Sequence, residues 1–212
     1  MTLPALSAPR VSSVIAAVLT AAMIGLTACA SSPPTQFYSL TPVSAQSSVP
    51  KADSATSGAM PLRVAAVHIP PTLDRREVVR RGAGDRLEIS GERRWGAPFD
   101  EMVQHVLTQN LVERLPPGSV VLPSSPAPSG MASVVVDLLQ FQSDAGGAVV
   151  LQGSWSLLPP GQSSPTLVRD FRYEDSASAR NFEDEAAAMS RLLGRLSDDI
   201  ASQATTKTTT KR

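Results

Sequence analysis

The stretch VVLQGSWSL, residues 149–157, alternates strictly. Val149, Leu151, Trp155 and Leu157 share one side, while Gln152, Ser154 and Ser156 share the other. A period of two is that of a half-buried β-strand. LVRDFRYE, residues 167–174, repeats the pattern, with Leu167, Phe171 and Tyr173 opposing Asp170, Arg172 and Glu174. SVVVDLLQF, residues 133–141, precedes both and is heavily apolar. Together the three segments predict an antiparallel meander with one wet face.

Upstream, APFDEMVQHVLTQNLVERLPPG (97–118) changes period. Phe99, Val103, Val106, Leu107, Asn110 and Leu111 fall on one helical stripe, which Pro116, Pro117 and Gly118 end. A second amphipathic helix is expected over 181–202, where Phe182, Ala186, Met189, Leu193, Leu196 and Ile200 recur at spacings of three and four. Its acidic start, Glu183, Asp184 and Glu185, suits the helix dipole and reads as a solvated first turn.

LRVAAVHI (62–69) is apolar on both sides, as for an interior strand. REVVRR (76–81) and RLEIS (86–90) flank Gly82, Ala83, Gly84 and Asp85, and read as a hairpin. Phe37, Tyr38, Ser39 and Leu40 form an aromatic outlier that reads as an added strand. The expected fold is α/β in the α+β sense: a two-layer domain over 62–204, with one mixed, largely antiparallel sheet and two helices on one face. Residues 42–61 are too poor in large apolar side chains to fix themselves, and 205–212 read as a disordered tail.

The N-terminal part carries a different signal. Residues 1–28 read as an export signal, with Arg10 in a sparse positive region and an uncharged apolar run over 14–26. That run of about 13 residues falls short of the roughly 20 needed to span a bilayer, which weighs against the other reading, a transmembrane anchor. Leu26-Thr27-Ala28-Cys29 resembles the bacterial lipobox, in which the cysteine sulfur is acylated and the chain is cut before it. Cys29 is the chain's one cysteine, so no internal disulfide competes for it. The resemblance makes Cys29 the lipidation site. Ala30, in place of the aspartate that favours inner-membrane retention, points to the periplasmic face of the outer membrane.

Catalytic patterns are sparse. The two histidines, His68 and His105, sit at a strand end and on the polar side of a helix, a poor basis for a metal site. No nucleophile elbow, phosphate loop or calcium loop occurs. A net charge of zero gives no footprint for nucleic acid. The sequence therefore argues against an enzyme and calls for no cofactor. Arg75, Arg76, Arg80, Arg81, Arg86, Arg93 and Arg94 crowd the hairpin beside Asp74, Glu77, Asp85, Glu88 and Glu92. Either they are a solvated hairpin with cross-strand ion pairs, or they form a docking surface for a partner protein or lipid head groups.

SSPPTQFYSL near the lipobox and RLEISGERRWGAPFDEMVQHVLTQNLVERL further on (86–115) carry a family resemblance. In that order they are similar to the PqiC/YmbA-type ABC-transport auxiliary lipoproteins, which accompany Mce-domain (MlaD-like) lipid transport systems. The resemblance implies a non-enzymatic periplasmic subunit that partners an Mce-domain tunnel protein, with a homo-oligomeric ring as one arrangement. The element Arg94-Trp95-Gly96-Ala97-Pro98-Phe99 enters a helix in both. Arg94 and Trp95 are the candidate partner contacts, although a tryptophan before a helix is more often a core residue that staples the helix. A lipoprotein adaptor or assembly factor of another envelope complex is the alternative function.

Overall fold

A computed structural model of the chain describes residues 33–45, 61–84, 86–126, 128–178 and 181–209. The signal segment, Cys29 and most of the stretch read as linker lie outside the described residues. The elements run β1 (Gln36–Tyr38), β2 (Leu62–His68), β3 (Glu77–Arg81), β4 (Leu87–Trp95), α1 (Phe99–Arg114), β5 (Ala132–Ser143), β6 (Ala148–Leu158), β7 (Leu167–Ser176) and α2 (Phe182–Thr209). They belong to one compact unit beginning at Thr35.

The meander forms as the alternation requires. β5 pairs with β6 and β6 with β7, both antiparallel, placing Trp155 opposite Val136 and Leu151 opposite Phe141 and Tyr173. Their inward residues Val134, Val136, Val149, Leu151 and Trp155 are all buried. Both helices cover that side of the sheet. Leu107, Leu111, Leu192, Leu193 and Leu196 carry no exposed surface at all. Dense interdigitation of this kind is the main stabilising term of the domain. Pro116 holds Leu115 extended, with φ −105° and ψ 160°, so α1 stops at Arg114.

The α+β class with two helices stands, but the strands divide into two sheets where the sequence predicts one. A four-stranded sheet has the order β2-β5-β6-β7, and a three-stranded sheet the order β1-β4-β3. The hairpin meets the larger sheet through an isolated bridge, Arg81 to Asp144, with Ala145 N donating to Arg81 O at 3.0 Å. It then swings across the starts of both helices. Trp95 stacks on Phe99, the first residue of α1, at 4.9 Å, and meets Phe182, the first residue of α2, at 5.6 Å. The apolar positions Val78, Val79 and Trp95 have this aromatic floor to cover, which draws the hairpin off the larger sheet.

Two further readings are corrected. β2 is an edge strand, paired in parallel to β5 alone within its sheet. Its two-sided apolar look comes from Ala65 and Ala66, which are small and sit at least partly in water. Glu185 is not solvated: it is fully buried, while Glu183 and Asp184 are exposed. At its other end α2 runs to Thr209.

After β1 the chain is clamped between the helices. Leu40 N donates to Met102 Sδ at 3.2 Å, Thr41 N to Ser190 Oγ at 3.1 Å and Val43 N to Asn110 Oδ1 at 2.8 Å. Arg114 donates to Val43 O at 2.9 Å and to Asp198 Oδ1 at 2.6 Å, tying α1, the clamped segment and α2 together. This explains a buried asparagine on an apolar stripe: Asn110 satisfies a backbone N–H that would otherwise lose its partner.

Candidate functional site

The two candidate contact residues end β4 and diverge. Trp95 points inward and is 4% exposed, within an aromatic cluster of Tyr38, Phe99, Phe141 and Phe182. Its backbone N–H donates to Arg76 O at 2.7 Å, and Gly96 N to Tyr38 O at 2.8 Å, which fixes the β1–β4 edge. Trp95 thus serves as the staple of the helix start and offers almost no surface. Arg94, its neighbour, is half-buried on the opposite side. It pairs in register with Phe37 of β1 and Glu77 of β3. Its Nε is buried without a hydrogen-bond acceptor among the described residues.

Phe37 was legible only as part of a strand. The structure leaves it 63% exposed, since Gln36 and Tyr38 take the other side of β1 and are joined there by a 2.7 Å hydrogen bond. Tyr38 also stands edge-on to Phe182 at 4.6 Å. Partial burial, then the neighbouring Glu183 carboxylate, push the Tyr38 phenol above its ordinary value.

The arginine-rich hairpin separates into two groups. Arg75, Arg76, Arg81 and Arg86 are exposed, whereas Arg80 and Arg93 are half-buried. Arg80 Nη2 meets Glu185 Oε1 at 2.9 Å, so the hairpin is bonded to α2. Ser143 of β5 donates a short hydrogen bond to the other oxygen of Glu185. The sequence contains one signal for this lock: Glu185 lies three residues after Phe182 and four before Met189, on the apolar stripe. Arg93 sits over the Phe182 ring at 5.8 Å.

Two open clefts flank the hairpin. One of about 320 Å³ is lined in part by Leu73, Arg81, Arg86, Leu87, Leu139 and Gln142. The other, of about 340 Å³, includes Arg80, Glu88, Ile89 and Arg93. Between the sheets the aromatic cluster leaves a void of about 10 Å³, room for a single water.

Among the described residues, neither histidine joins a group of side chains arranged as a catalytic set. His68 Nδ1 lies 2.7 Å from Asp137 Oδ1, with both side chains more than half exposed. No hydroxyl among the described residues bonds to that imidazole, and His105 stands exposed on α1. Among the described residues, no three His, Cys, Asp or Glu side chains gather to hold a metal ion. No described helix is long and apolar enough to cross a membrane.

The fold has solved counterparts. A crystal structure of an uncharacterised protein matches with a TM-score of 0.65 and 22% identity, over 80% of this chain and 98% of the other. Protein XCC0632 from Xanthomonas campestris, assigned to the DUF330 family, matches with a TM-score of 0.62 and 16% identity, over 79% and 93%. At these identities the likeness concerns the fold alone. No curated protein matches the chain. The family model described as "ABC-type transport auxiliary lipoprotein component" matches residues 38–201, from the β1 edge through the helix pair to the last turns of α2. The resemblance carried by the Arg94–Phe99 element and the helix after it is thereby a membership: the chain belongs to the ABC-type transport auxiliary lipoprotein family.

Proposed function

We propose that the protein is a lipid-anchored accessory subunit of an Mce-type ABC transport system, acylated on Cys29 and held at the periplasmic face of the outer membrane. Family membership supports the accessory role in transport. The lipobox-like Leu26-Thr27-Ala28-Cys29 supports the anchor, and Ala30 the choice of membrane. In this reading the subunit hydrolyses nothing. ATP is consumed at the inner membrane, and the domain completes a protected path for lipids or other hydrophobic compounds.

The family match is the observation that carries this conclusion. Its test is metabolic labelling with radioactive palmitate followed by membrane pull-down. The wild-type chain takes up label, sediments with outer membranes and brings down an Mce-domain protein. Cys29→Ala loses the label and no longer sediments with outer membranes, because the acyl chains that hold it there, at about 0.8 kcal/mol for each buried CH₂, are gone. Absence of label in the wild type refutes the anchor. Absence of the Mce-domain partner, in cells that make one, refutes the partnership.

A further inference from the structure

We infer that the β1–β4 edge, with Phe37 and Arg94 at its centre, lies directly against the phospholipid surface that holds the anchor. The inference rests on acylation of Cys29. Seven peptide steps separate Cys29 from Gln36, the first residue of β1. A fully extended chain covers at most about 3.6 Å per residue, so β1 stays within about 25 Å of the acylated residue. A folded unit of this length is about 40 Å across, by the usual scaling of radius with chain length. The tether is therefore shorter than the domain, and surfaces far from β1 are held away from the bilayer.

The edge that the tether leads into carries the chemistry of a lipid interface. Phe37 is among the most exposed large apolar residues described, at 63%. It has no ring partner among the described residues, unlike Tyr38 beside it. Directly across the strand pair lies Arg94, half-buried and without an ion pair among the described residues, even with its register neighbour Glu77. An aromatic ring seated at the acyl boundary beside an arginine fork matches a phospholipid: apolar chain below, phosphate oxygens above. A water-facing role would leave the exposed Phe37 ring without an apolar counterpart.

The test uses the chemistry of the anchor itself. In the processed chain the Cys29 sulfur is a thioether, so Phe37→Cys supplies the single reactive thiol. Full-length acylated protein carrying this change, labelled with a polarity-sensitive fluorophore, is reconstituted into phosphatidylethanolamine–phosphatidylglycerol vesicles containing doxyl-labelled acyl chains. Val168→Cys, at a residue 59% exposed on the edge strand β7 of the other sheet, is the control. Quenching at position 37 at least about twofold above the control is expected if the edge lies at the bilayer. Adding Arg94→Glu lowers it toward the control value. Equal quenching at both positions in an acylated chain overturns the inference and leaves the anchor intact. A chain that takes up no palmitate overturns the anchor, and the inference with it.

Discussion

The two sheets make an instructive pair. The four-stranded sheet is long and covered by both helices, and buries Val134, Val136, Leu151 and Trp155 almost completely. The three-stranded sheet is short, bears most of the hairpin arginines and leaves Phe37, Leu87 and Ile89 in water. It contributes Trp95, Val78 and Val79 to the interior, packs Tyr38 against them and points Arg80 at the buried Glu185. Most of the buried strand core thus belongs to the larger sheet, although Leu139 and Val168 on it are exposed as well.

Matched substitutions test this division, with urea midpoints read on a chain beginning at Ala30. The largest contrast is expected between two large apolar side chains. Trp155→Ala removes a ring that is 1% exposed and whose Nε1 donates to Asp199 at 3.0 Å, and should cost about 4 kcal/mol. Ile89→Ala, at a residue 51% exposed, should fall within about 0.5 kcal/mol of wild type. A similar cost at both positions would break the comparison.

Next comes the lock between the sheets. Glu185→Ala leaves the Arg80 guanidinium, only 15% exposed, without its carboxylate, and should destabilise by about 3 kcal/mol. Combining Glu185→Leu with Arg80→Met should recover most of that loss, since no buried charge is then left behind. If the double variant is no better than the single one, the pair does more than neutralise itself.

The smallest contrast compares two glycines. A Cβ on Gly153 would lie 2.2 Å from Asp137 O, because β5 is irregular between Leu138 and Gln140 at that point. Gly153→Ala should cost about 2 kcal/mol through strain in the ladder. A Cβ on Gly91, in β4, would meet nothing within 4 Å, so Gly91→Ala should stay within about 0.5 kcal/mol.

Local periodicity explains what could be read before the structure was known. The β5–β7 meander, the β3–β4 hairpin, both helices and even the short aromatic strand at Phe37 follow from patterns within about ten residues. The two parallel pairings, β1 with β4 and β2 with β5, join segments far apart in the chain and leave no local trace. Division into two sheets follows from those pairings and was hidden with them. Glu185 misled for a different reason. Its charge said water while its stripe position said core, and the deciding partner, Arg80, lies about a hundred residues upstream. Arg94 and Trp95 were legible as a pair, but only the pleat shows that one faces out and the other in.

The segment from Leu40 to Val43 has a mechanical consequence. Its backbone is gripped by Met102, Asn110 and Arg114 from α1 and by Ser190 from α2. Tension arriving from the N-terminal side is taken up first in shear by the three-residue ladder of β1. It then divides between two helices before it can peel any strand of the larger sheet. A pull from the N-terminal side would therefore load β1 and the clamped segment before it reached the interior.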